Sequence, residues 1–218
     1  MCHMRDKSMT ASPRIPAAQP TIADRKRQLV REEISAVAMR LFLERGFDQV
    51  TVEQIAADAG LSRTTFFRYF PTKEDVVLFH GERFGPQVLD SLCARPDAES
   101  AWEAFARAIE DALTAAGIPR DGLPVVAIVC GNPQIHARNL EKQRDWRPLF
   151  ASEVTRRLAL AGDEADDTRA HALTAAAFAC LEVAFDAWTE SDGKRDLLEL
   201  LHHAMDTVLP VTGRSGTS

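Results

Sequence analysis

The run Thr51-Val-Glu-Gln-Ile-Ala-Ala-Asp-Ala-Gly60-Leu-Ser62-Arg-Thr-Thr-Phe-Phe-Arg-Tyr-Phe-Pro71-Thr-Lys73 constrains the fold more tightly than any other part of the chain. Thr51 and Gln54 have the spacing of a capping box, so a first short helix begins there. Val52, Ile55, Ala56 and Ala59 fall on one face of it. Gly60 stands where the chain must turn sharply, and glycine reaches positive φ without steric cost. Ser62 is suited to cap a second helix. That helix turns Phe66 and either Tyr69 or Phe70 inward, and offers Arg63, Thr64, Thr65 and Arg68 as polar reach. Two short helices packed through Ala56, Gly60 and Phe66 make a helix-turn-helix over residues 51–70, whose second helix can enter a DNA major groove.

The flanking segments complete a three-helix head over residues 21–75. Val30, Ile34, Val37, Ala38, Leu41 and Phe42 follow the rhythm of one buried helical face across residues 21–45. Thr21 or Asp24 caps this helix, Gly46 ends it as a C′ glycine, and Arg25, Lys26 and Arg27 cluster at its start. Thr72 with Asp75 caps a longer helix from about 72 to 92, interrupted at Gly85-Pro86. Lys73, in its first turn, is placed to hold a phosphate.

On these residues the chain resembles a known family. Ala38-Met-Arg-Leu-Phe-Leu-Glu-Arg-Gly46-Phe47, Val50-Thr51-Val-Glu-Gln-Ile55-Ala56, Ala59-Gly60-Leu-Ser62, Thr65-Phe-Phe-Arg-Tyr-Phe70 and Lys73-Glu-Asp-Val, in that order, are similar to the DNA-binding domain of TetR/AcrR-type transcriptional regulators. The resemblance implies an all-α chain: an N-terminal helix-turn-helix domain, then a C-terminal helical bundle (residues 76–210) for dimerisation and ligand binding. It implies a homodimer on a double-stranded, near-palindromic operator. Arg63, Thr64 and Thr65 would read bases or nearby phosphates, while Thr51, Ser62, Phe67, Arg68, Tyr69 and Lys73 set register on the backbone or pack to support it. The family usually has a tyrosine where this chain has Phe67, so the hydroxyl contact to a phosphate is lost here.

Taken whole, the formal charge of −6 argues against a polyanionic partner, but it is unevenly spread. Residues 1–75 hold 12 Lys and Arg against 10 Asp and Glu, a net of +2, and residues 76–218 hold 14 against 22, a net of −8. A locally basic face suffices for phosphate contact. Cys2, Cys93, Cys130 and Cys180 have no C-x-x-C spacing and read as buried thiols in a reducing, cytoplasmic compartment. No apolar run reads as long enough to span a membrane, and the N-terminus has no secretory h-region. Residues 1–20, with Pro13, Pro16 and Pro20, read as a disordered arm whose Arg5, Lys7 and Arg14 are available to a minor groove. The Gly/Ser/Thr-rich residues 211–218 read as a flexible tail.

The body reads as a series of helices: 97–116 with Trp102, Phe105, Ile109 and Leu113 on one face, a short apolar helix over 121–130, and a long helix from Asn132-Pro133 to about 161. An alanine-rich helix over 164–190 is suited to a dimer interface. A last helix spans 194–209 with Leu197, Leu198, Leu201, Met205 and Val208. Aromatics at helical spacing are more often core than pocket. A cavity between such helices would be lined by Trp102, Phe105, Trp146, Phe150 and Phe178. The segment from Pro124 to Trp188 resembles the C-terminal domain of mycofactocin-system regulators, a subgroup associated with acyl-coenzyme A-like ligands. That resemblance would turn Arg138, Lys142, Arg144 and Arg147 toward an anionic head group; a solvated basic face is the plainer reading.

No G-x-S-x-G, H-E-x-x-H, P-loop or Rossmann fingerprint is present. His3, His80, His136, His171, His202 and His203 include no i, i+4 pair, so neither metal nor cofactor is expected. The reading is a ligand-responsive DNA-binding regulator, a repressor released by a small apolar or acyl-type ligand. The rivals are an all-helical enzyme or carrier without a DNA role, and an architectural protein indifferent to ligands.

Overall fold

The computed structural model describes residues 21–163 and 166–209, and within them the chain is helical with no strand. The proposed arm and tail lie outside the described residues. The head consists of α1 (Ile22–Arg45), α2 (Val52–Asp58), α3 (Arg63–Tyr69) and α4 (Lys73–Leu78). The body consists of α5 (Phe84–Ala94), α6 (Ala101–Ala115), α7 (Ile118–Asp121), α8 (Leu123–Gly131), α9 (Pro133–Leu160), α10 (Asp167–Glu190) and α11 (Leu197–Val208).

Side-chain caps set the helix starts. Thr21 with Asp24, Thr51 with Gln54, Thr72 with Asp75 and Ser100 with Glu103 all form reciprocal capping boxes. Ser62 accepts from the Thr65 amide at the start of α3, and Asn132 accepts from Gln134 and Ile135 at the start of α9. Gly60 sits at φ +67°, turning α2 into α3. Ile34, Leu41, Ile55, Phe66 and Phe70 are fully buried between these helices. Phe70, the residue that caps the end of α3, is therefore the second inward aromatic, and Tyr69 is half-buried.

The helix expected from about 72 to 92 breaks earlier than the expected interruption at Gly85-Pro86. α4 ends at Leu78 and a 3₁₀ turn covers Phe79–Gly81 before α5 begins at Phe84. Pro86 is thus in the first turn of α5, where its missing N–H has no intrahelical acceptor to satisfy; the break precedes it. The head also extends past residue 75. Val76, Val77, Leu78 and Phe79 are buried in its core, and Ile135 from α9 enters the same cluster.

The body core centres on Phe105, Phe150 and Phe178. Phe105 and Phe150 stack at 5.4 Å, and Phe178 meets them edge-on at 5.7 and 5.1 Å. Arg157 is buried beside this core. Its guanidinium donates to the carbonyls of Leu92, Arg95 and Pro96 and to Glu153, closing the C-terminal end of α5. α10 is long and apolar enough, by length and composition, to pass for a membrane span, contrary to the sequence expectation. It packs along both α9 and α11 and carries Glu182 and Asp186. Val208, expected to close the core, is 55% exposed.

Candidate nucleic-acid interface and internal cavity

α3 presents one face to solvent. Ser62, Arg63, Thr64 and Arg68 are exposed and Phe67 is 40% exposed, while Phe66 anchors the opposite face. Thr65 is half-buried, its hydroxyl 2.9 Å from that of Ser62. Arg63 lies over the Phe67 ring at 5.3 Å and pairs with Glu53 of α2 at 2.9 Å. Thr51, exposed at the start of α2, uses its hydroxyl on the Gln54 amide. Tyr69 lies under two guanidiniums, Arg27 at 5.6 Å and Arg68 at 5.4 Å, and Arg27 also donates to the Arg68 carbonyl. The start of α1 is thereby tied to the end of α3, bringing two basic segments together.

Lys73 has a structural task that its sequence position did not reveal. Its ammonium donates to the carbonyls of Phe47 and Val50 at 2.8 and 3.0 Å and lies 4.1 Å from the Phe47 ring centre. Two of its three donors therefore hold the α1–α2 loop, leaving one for an outside partner.

A cavity of about 390 Å³ lies beneath the head. Val77, Leu78, His80 and Gly81 of α4 and the 3₁₀ turn form its roof, and α8 gives an apolar wall of Val125, Val126, Val129 and Cys130. α9 contributes His136, Asn139, Leu140, Gln143 and Trp146, at the spacing of a single helical face. Opposite it, α10 contributes Phe178, Leu181, Glu182 and Phe185. Of the five aromatics expected to line a pocket, Trp146 and Phe178 do. Trp102, Phe105 and Phe150 are sealed in the body core behind it, at 2%, 1% and 0% exposure. Helical periodicity marked all five as inward, but could not say which inward side chains face a void.

The polar side chains of the wall are specific. His136 Nε2 and Glu182 Oε1 are 2.9 Å apart. His80 Nε2 is 2.8 Å from the Ser35 hydroxyl, and burial holds its pKa below the usual histidine value. Burial, with Asp186 and Glu182 nearby, pushes the Cys130 thiol up to about 12, so it stays protonated. Cys180 is buried as expected, but Cys93 is exposed. Among the described residues no cluster of three metal-ligating side chains occurs.

None of Arg138, Lys142, Arg144 and Arg147 of α9 lines the cavity. Arg138 donates to the Thr72 hydroxyl at 2.7 Å and pairs with Asp75 at 2.9 Å, reaching the capping box of α4. Lys142 lies 3.7 Å from Glu82, which also pairs with Arg31 of α1 at 2.7 Å. On the far side of the body, α10 and α11 enclose a shallow apolar groove with Ala176, Ala179, Val183 and Ala187 on one bank and Ala204 and Val208 on the other.

An exposed polar helix on a buried anchor, joined to a helical body that holds a cavity, is an architecture suited to a ligand-sensing DNA-binding protein. Residues 34–78 match the bacterial regulatory proteins of the tetR family and residues 100–212 match the MftR C-terminal domain. The chain belongs to the TetR family of transcriptional regulators, whose members act on DNA as regulators and not as enzymes. It is 34% identical over 113 residues to the regulator TcmR of Streptomyces glaucescens, a match spanning 52% of this chain but only 49% of that relative. It is 26% identical over 190 residues to the mycofactocin biosynthesis regulator named MftR of Mycobacterium tuberculosis, spanning 84% of this chain and 91% of the relative. The fold matches FadR of Bacillus subtilis, solved with stearoyl-CoA, at TM-score 0.60 and 20% identity over 84% of this chain and 99% of that one. FadR of Thermus thermophilus, solved with lauroyl-CoA, matches at TM-score 0.54 and 23% identity, over 86% and 98%.

Proposed function

We propose that this chain is a cytoplasmic, homodimeric repressor that a small apolar effector releases from a near-palindromic operator. In this reading Arg63, Thr64 and Thr65 approach base edges. Thr51, Ser62, Phe67, Arg68, Tyr69 and Lys73 position the head on the backbone, with Lys73 acting chiefly through the loop it holds. Two heads would enter successive major grooves about 34 Å apart. The alanine-rich face of α10 with α11 is the dimer surface, since small residues permit close helix approach. The observation carrying the reading is the cavity roof: α4 and its 3₁₀ turn belong to the head core on one side and face the cavity on the other. An occupant that fits one position of that segment better than another shifts the spacing of the heads by its differential affinity. For the body of the effector an acyl chain is a second reading, because the valine wall of α8 suits hydrocarbon and the two FadR proteins were solved with acyl-CoA.

The test is a gel shift with DNA flanking the chain's own gene, at two salt concentrations. A retarded complex that weakens steeply with salt, protects two half-sites one turn apart and weakens about tenfold or more in Arg63→Ala is expected. Retardation indifferent to DNA sequence and to Arg63 would remove the operator reading.

A further inference from the structure

We infer that the cavity binds an apolar organic cation, such as a quaternary ammonium, in preference to a fatty-acyl anion. The inference rests on reading this cavity as the effector site. Its walls combine two features that suit such a guest. Aromatic rings of Phe84, Trp146, Phe178 and Phe185 line it, and an aromatic face attracts a cation through its quadrupole. Two carboxylates, Asp121 and Glu182, also line it, whereas no lysine or arginine does.

The surrounding charges do not reverse this balance. Asp121 has no ion-pair partner among the described residues, and Glu182 has only the His136 imidazole. Asp186 stands behind Cys130, adding negative charge to the same side. On α9, Arg138 is committed to Asp75 and Thr72 and Lys142 to Glu82, while Arg144 and Arg147 do not line the cavity, the buried Nε of Arg147 having no hydrogen-bond partner. His80 is held toward its neutral form by burial. An anion entering here would surrender its hydration with no fixed counter-charge to replace it. A cation would meet both carboxylates and aromatic faces. The side-chain amides of Gln87, Asn139 and Gln143 face the cavity without a protein partner among the described residues. They can donate or accept, so they serve any polar guest and leave charge selection to the carboxylates.

The test is titration calorimetry on the full chain, without DNA, using four ten-carbon probes below their micelle concentrations: decyltrimethylammonium, decanol, decanoate and decanoyl-CoA. The chain length is constant, so differences report the head group. The ammonium is expected to bind at least tenfold more tightly than decanoate, with decanol between them and decanoyl-CoA no tighter than decanoate. Glu182→Gln and Asp121→Asn are each expected to weaken the ammonium by roughly three- to tenfold while leaving decanol unchanged. Circular dichroism checks the fold, and Asp121, exposed at the rim, provides the second variant if Glu182→Gln unfolds. Equal or tighter binding of decanoate or decanoyl-CoA, equal loss of decanol in the variants, or no binding by any probe would each overturn the inference. Operator release is scored separately. A cation that binds without releasing DNA defeats the effector reading and spares the charge preference. Decanoyl-CoA that binds tightly and releases DNA does the opposite.

Discussion

At the scale of single residues, Arg157 and His80 perform tasks that sequence reading left blank. Arg157 has a side chain only 1% exposed, and spends its donors on Glu153 and three carbonyls at the end of α5. Truncation to Ala would strip the Arg95 carbonyl of its donor, leave the Leu92 and Pro96 carbonyls with one backbone N–H each, and leave Glu153 with a single partner. A loss of about 2–4 kcal/mol is expected, read as a lowered urea midpoint; a change under ~1 kcal/mol would show that water replaces the guanidinium. For His80 the folded pKa lies below the ordinary 6.5. The unfolded chain therefore binds the extra proton first. The stabilising contribution is complete above about pH 6.5 and is lost as pH falls toward the depressed folded value. Thermal melts from pH 7.5 to 5 should show a decline that His80→Asn reduces. An identical decline in the variant would assign it to other groups. Neither role was visible in advance, because an arginine within an amphipathic helix and a lone histidine look alike whether solvated or buried. The capping boxes were legible, since their partners lie three residues apart and depend on nothing distant.

At the scale of elements, the instructive error is the helix placed over 72–92. Local signals marked its start at Thr72 and an interruption at Gly85-Pro86, but the 3₁₀ turn at Phe79–Gly81 has only a lone Gly81 as local punctuation. It is imposed by packing: Phe79 must reach Phe70 in the head, at 5.6 Å, while Phe84 turns into the body. Gly85 in the next helix has a different constraint. A methyl group there would overlap the Trp146 ring of α9, so glycine allows α5 and α9 their close approach. Gly85→Ala should cost about 1–3 kcal/mol through overpacking and drive Trp146 toward the cavity, with altered Trp fluorescence and reduced ligand uptake. Unchanged stability together with unchanged fluorescence would mean the ring already has room. The pocket aromatics follow the same logic. Phe105 and Phe150 were marked inward by periodicity, yet only the arrangement of three helices shows that they pack on Phe178 instead of facing the void.

For the whole molecule, the ordered motif from Ala38 to Val76 suggested a DNA-binding head followed by a helical body. Alanine content alone suggested α10 as the dimer surface, the surface proposed above. Val183 and Val208 remain 59% and 55% exposed beside the α10–α11 groove, which places apolar area where a second copy would cover it. If α10 and α11 form the proposed dimer surface, Val183→Arg should give a monomer in sedimentation and weaken operator binding by at least tenfold, because two half-sites would no longer be engaged together. A variant that remains dimeric would move the interface elsewhere.

Ile135 begins in the body and ends in the core of the head, while Arg138, one turn later, bonds to the residues that start α4. The two halves are consequently not interchangeable cassettes. A chimera that grafts another regulator's reader at residue 80, or a truncated reader expressed by itself, would carry an empty socket where a fully enclosed isoleucine belongs. Engineers who wish to re-aim this protein at a new promoter would do better to alter the surface of α3 in place than to splice at the apparent seam.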